Sequence, residues 1–240
     1  MKHFSVALAA LITVACLADA QAAPDASDPV ALKLMAECKA ASGGAALDRP
    51  AAFHETGTIV RDGQSGTYEM YADLHALRTA GIHTIEGKIG GGGYDGTRAW
   101  KFGPDGKVVV ITDPAQLAEE RFGAYLTIAG WFYPDRFPAT FKYLGRKEAG
   151  SRSYDVVAVT PEGAMTGDLW LDTHNHRIVR VTIEGAAMTG EILRRRVVDG
   201  TWIGFQNRQT EGPHKMLQTL ATLEYVPLDP ERFSPPSFGK

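Results

Sequence analysis

The chain has 240 residues, 44% of them hydrophobic and 22% charged, with a formal net charge of -3 at pH 7. That length suits one domain or two small ones with a real core, and the charge balance carries no basic footprint for nucleic acid. Two cysteines exclude a disulfide scaffold.

The N-terminal stretch MKHFSVALAALITVACLADAQAAPDAS has one early lysine and an apolar run over residues 4–17. Small residues follow, and both Ala18-Asp19-Ala20 and Gln21-Ala22-Ala23 fit a cleavage pattern of the A-x-A kind. This reads as a secretory signal peptide over residues 1–23, its apolar region too short for a comfortable membrane span. The mature domain then covers residues 24–240. TVAC also loosely resembles a lipobox, although Thr13 stands where such motifs usually carry leucine. Lipid anchoring through Cys16 therefore stays open as the alternative to a soluble exported protein. Cleavage leaves Cys38 alone, at helical spacing with Ala31, Leu34 and Met35, where a small residue packs into a core.

Asp28-Pro29 is suited to cap and open a helix, and Gly43-Gly44 to close it, so residues 29–42 form the first helix. The runs FHETGTIV, GTYEMYADL, ALRTAGIHTI, TRAWKF and KVVVIT then read as antiparallel strands, with GPDG at residues 103–106 as a turn. A second helix starts at Asp113-Pro114. Ala118, Phe122, Tyr125, Leu126 and Ala129 make its apolar face, and Glu119 and Glu120 are expected in its first turn. After the proline-broken aromatic segment WFYPDRFP, strands resume to residue 226, and a proline-rich tail ends the chain. The architecture expected is one domain built on a long meandering antiparallel sheet, curled, with helices over its concave face.

IGGGGYDGTRAWKF, residues 89–102, contains a formal G-x-G-x-x-G at Gly91, Gly93 and Gly96. A dinucleotide or phosphate loop needs a helix to start there, because the helix N-terminus holds the phosphate. Here alternation continues through Trp100 and Phe102 into another turn. The run therefore reads as a glycine-rich strand end and an Asp95-Gly96 hairpin, its bare backbone leaving room for a ligand or a covering helix.

The order of elements in GYDGTRAWKFGPDGKVVVITDPAQLAEERFGAYL resembles the outer-membrane lipoprotein-sorting (LolA/LolB-like) superfamily. AASGG before the first strand and GDLWLDTHNHRIVRV later in the chain add to the likeness, which spans roughly residues 28–226. Its short motifs, DG followed by Trp and LWLD, are individually weak; the element order carries more. The resemblance implies a mainly β fold, a half-closed antiparallel β-barrel lidded by helices. It also implies a periplasmic, non-enzymatic binding or carrier role without cofactor, with a lipid, an acylated lipoprotein or another apolar ligand in the cavity. Envelope proteins and the membrane surface are further expected partners, and an interaction module of the same fold without ligand is the alternative.

The aromatics expected near such a cavity are Trp100, Phe102, Trp131, Phe132 and Trp170, with Phe122, Tyr125 and Leu126 on the lid; singly, each is also an ordinary core residue. His174 and His176 have the spacing of half a zinc site, but Asp172, Thr173 and Asn175 argue for a turn, and no ligand set completes it. In ILRRRVVDG, Arg194 and Arg196 share one strand face and Arg195 takes the other. They suit either a basic spot for an anionic headgroup or, the preferred reading, a solvated strand with edge-protecting charges. No G-x-S-x-G occurs and no serine has a triad context, so no catalytic residue is expected.

Overall fold

The computed structural model describes residues 26–183 and 187–235. The expected signal peptide, the boundary at residue 23 and Cys16 lie outside these residues. The first six strands are β1 (Ala52–Arg61), β2 (Gln64–Asp73), β3 (Arg78–Ile85), β4 (Lys88–Tyr94), β5 (Ala99–Phe102) and β6 (Val108–Ile111). Seven more follow, β7 (Ala139–Ala149), β8 (Arg152–Pro161), β9 (Gly167–Asp172), β10 (Ile178–Ile183), β11 (Met188–Val198), β12 (Thr201–Glu211) and β13 (His214–Val226). Helix α1 (Pro29–Ser42) precedes β1, and α2 (Pro114–Thr127) separates β6 from β7.

The hairpins are set by local chemistry. Asp62-Gly63, Glu86-Gly87 and Asp199-Gly200 each place two consecutive residues at positive φ. That is the conformation whose twist matches flanking antiparallel strands. Both helices start on an aspartate followed by proline. Asp28 accepts from the Val30 amide and Asp113 from the Gln116 amide, at 2.7 and 2.9 Å.

All thirteen strands form one antiparallel sheet in the order β6-β5-β4-β3-β2-β1-β13-β12-β11-β10-β9-β8-β7. The sheet is not closed into a barrel, and β6 and β7 are its edges. The chain meanders from β1 out to β6 and, after the second helix, from β7 back to β13, which pairs with β1. Residues 112–138 therefore have to pass from one edge of the sheet to the other. That passage carries α2 across the inner face, and it is the topological reason a lid exists.

α1 buries Ala31, Met35, Cys38 and Ser42 against the same face. Burial pushes the Cys38 thiol up to about 11, which suits packing and not nucleophilic chemistry. Phe122 and Tyr125 of α2 are fully buried among Phe141, Val157, Val159 and Leu169. Each such ring contributes roughly 1.5–3 kcal/mol relative to exposure. A Cβ at Gly167 would lie 2.5 Å from the Phe122 ring, so glycine in β9 is what lets the helix approach.

Three details differ from the sequence reading. Glu119 and Glu120 lie beyond the first turn of α2, and Glu120 meets Lys101 of β5 at 2.6 Å. The three arginines sit on β11, which is interior to the sheet, so edge protection does not explain them. The glycine run is the body of β4. A Cβ on Gly91 or Gly93 would strike the Phe102 or Trp100 ring at 2.8 and 2.7 Å. The space left by the glycines is thus filled by neighbouring aromatic rings.

Candidate functional site

Between the inner face of the sheet and the lid lies a cavity of about 390 Å³. Alternation explains its walls. Phe53 and Glu55 of β1 stand opposite Met70 and Ala72 of β2 and Leu223 and Tyr225 of β13, all pointing to one face. Val181 of β10 and Met188 of β11 continue the wall. Leu126, Ile128, Trp131 and Phe132 close it from above. Ala129 holds a left-handed conformation at φ 52°, and the Tyr125 ring lies against Gly130, where a Cβ would fall 2.4 Å away. This tight exit from α2 turns Trp131 and Phe132 back toward the cavity.

Of the eight side chains expected at the site, Leu126, Trp131 and Phe132 line the cavity. Phe122 and Tyr125 lie beneath the lid in the core. The other three are elsewhere. Trp100 and Phe102 alternate with Ala99 and Lys101. The latter two face α2, so the two rings are on the outer face, clustered with Ala80 and Phe233 under a short 3-10 turn, Pro230–Phe233, of the tail. Trp170 alternates with inward Leu169 and Leu171, and on the outer face it packs beside Tyr154, Lys147 and Arg180.

Polar side chains interrupt the apolar wall at several points, among them Asn207, the Glu191–Arg208 ion pair, and Glu55, Arg177 and Arg195. Glu55 is held among apolar neighbours and accepts a hydrogen bond from the Tyr68 hydroxyl. Burial pushes its carboxyl up to about 7, and the tyrosine offsets only part of that. At another part of the lining are Arg177 and Arg195. Sequence reasoning passed over Glu55, although the alternation Phe53, Glu55, Gly57, Ile59 already put one carboxylate on an otherwise apolar strand face. It passed over Arg177 because that residue sits at the end of a turn, without periodicity.

His174 and His176 lie exposed in the β9–β10 turn, which Asp172 organises by accepting from the His174 and Asn175 amides. Among the described residues no three His, Cys, Asp or Glu side chains are grouped to hold a metal. No helix among them is long and apolar enough to cross a membrane.

An open antiparallel half-barrel with a helical crossing over an apolar cavity is the class that the fold and site define. Solved structures have a similar fold. A DUF1329 family protein from Desulfovibrio piger matches with a TM-score of 0.57 at 12% identity, over 85% of this chain and 96% of that one. A LolA superfamily protein from Nitrosomonas europaea matches at 0.55 and 11%, over 85% and 97%. A domain described as outer membrane lipoprotein-sorting, from Vibrio parahaemolyticus, matches at 0.54 and 14%, over 85% and 96%. By sequence the chain matches no family model and no curated protein. The chain has the LolA-superfamily fold.

Proposed function

We propose that this protein is a non-enzymatic binding or carrier protein of the bacterial envelope, exported to the periplasm, that holds an acyl chain or another apolar ligand beneath its lid. The observation that supports this most directly is the open cavity of about 390 Å³, walled mainly by aliphatic and aromatic side chains. That volume is within the range of small-molecule sites, and each buried methylene would contribute roughly 0.8 kcal/mol. The Trp131 indole Nε1 and the Asn207 Oδ1 are buried in the lining without a partner among the described residues, and a ligand with polar atoms would satisfy them. The alternative, an interaction module without ligand, expects an interior collapsed by large aromatics. Here Phe122 and Tyr125 pack away from the space instead of filling it, which favours the carrier reading. The sorting function in the description of the Vibrio parahaemolyticus domain agrees with a lipid or acylated protein as cargo.

Native mass spectrometry of the protein purified gently from an envelope extract tests this reading. A stoichiometric lipid or acylated species is the expected result. A clean apo mass that persists after incubation with envelope lipids would overturn it.

A further inference from the structure

The row of arginines on β11 has a consequence that alternation alone hides. β11 pairs regularly with β12 up to Ile192↔Asn207, and its register then shifts twice, between Ile192 and Arg194 and between Arg194 and Arg195. Such bulges re-aim the side chains that follow them. Arg194 stays exposed, while Arg195 reaches the cavity lining and donates to the Ile178 carbonyl at the start of β10. Arg177, from the β9–β10 turn, joins the same lining. Its Nε donates to the Ala41 carbonyl near the end of α1 at 2.9 Å, and its guanidinium lies 4.4 Å from the Trp202 ring centroid.

Two guanidiniums close enough to repel one another are therefore held at one part of an apolar cavity. Among the described residues neither forms an ion pair. Asp172, the carboxylate that acts on Arg195, is occupied by turn amides. Burial, and then the charge of Arg177, pull the Arg195 guanidinium below its ordinary value. An arginine nonetheless stays charged in a protein, so this arrangement is costly until an anion arrives. Glu55 lies three strand steps away, across β12 and β13 to β1, on the same inner face, and its partner Tyr68 is one strand further, on β2. An anion is favoured at the arginines and disfavoured at Glu55, and this polarity gives a bound amphiphile one direction.

We infer that Arg195 and Arg177 form the headgroup end of the cavity and bind the carboxylate or phosphate of a single-chain anionic amphiphile, whose tail lies against Leu126, Trp131 and Met188. One acyl chain suits a volume near the lower end of the range for ligand sites. Planar guanidinium forks suit both oxyanions. The inference rests on the cavity's being a ligand site, as proposed above.

Affinities of the purified protein for palmitate, 1-palmitoyl lysophosphatidylglycerol and hexadecanol, measured by displacement of a fluorescent acyl probe below the micellar range, test it. At least one anionic probe is expected to bind roughly 10- to 100-fold tighter than the alcohol, the range of a charge-assisted hydrogen bond or two. A preference for palmitate alone identifies a carboxylate ligand, and one for the lysolipid alone a phosphodiester. The gap should close in Arg195→Gln and narrow in Arg177→Gln, and Arg195→Lys should retain part of it. Equal affinity for all three in the unaltered protein overturns the inference while leaving the cavity reading intact. Equal weakening of all three in Arg195→Gln also overturns it, because the arginine would then only hold the fold. No binding of any probe would sink the cavity reading itself.

Discussion

Glu55 has a folded-state proton affinity raised by burial, to about 7 from an ordinary 4.5. Between those values the folded protein binds more protons than the unfolded chain. Stability from this group is therefore complete below about pH 4.5 and is lost as pH rises through 7, on the order of 3 kcal/mol. Glu55→Gln keeps a partner for Tyr68 and removes the titration, so its melting temperature should vary less with pH between 4.5 and 7.5 than that of the unaltered protein. Parallel melting curves across that window would overturn the assignment. Asp73 is a fully buried carboxylate at the end of β2 that is held by several donors. Its Oδ1 accepts from the His75 and Ala76 amides and its Oδ2 from the Arg78 guanidinium, at 2.7–3.0 Å. Asp73→Ala strands these donors at the β2–β3 turn and should cost about 3 kcal/mol in urea denaturation.

Helices were well marked in the sequence because their signals are local. Asp-Pro entries and the Gly43 exit set α1 at residues 29–42, as expected. The β4 glycines were recognised as strand and not phosphate loop, yet the occupant of their empty face was not legible, since it arrives from the next strand. Gly91 stands opposite Phe102 and Gly93 opposite Trp100. Gly91→Ala would put a Cβ 2.3 Å from the Gly81 carbonyl oxygen as well as against the Phe102 ring. It should destabilise by about 2 kcal/mol and alter the emission of Trp100, read by thermal and fluorescence unfolding. A stability equal to the parent would mean that these strands are not packed this closely. Trp170 illustrates the same limit. Its strand was legible, but the burial of Leu169 and Leu171 decides the phase, and that depends on where α2 lies.

At the scale of the whole molecule, the sheet is open and the lid is the crossing between its edges, so the cavity is bounded by the two halves of the chain at once. Gly190 in β11 stands in this wall, and a Cβ there meets nothing within 4 Å. Gly190→Phe should leave stability within about 1 kcal/mol of the parent, since glycine in a strand interior already carries an entropic penalty. It should also abolish binding of acyl probes by filling the space. Undiminished binding at unchanged stability would place the ligand elsewhere. The sequence by itself determined what rests on neighbours along the chain: the helices and their caps, the hairpins, the alternating strands and the mainly β class. Only the tertiary structure decided which aromatic side chains reach the cavity, and that Glu55, Arg177 and Arg195 share it. A strand's period of two says that its faces differ, but not which is inward, and two bulges in β11 are enough to redirect a charge.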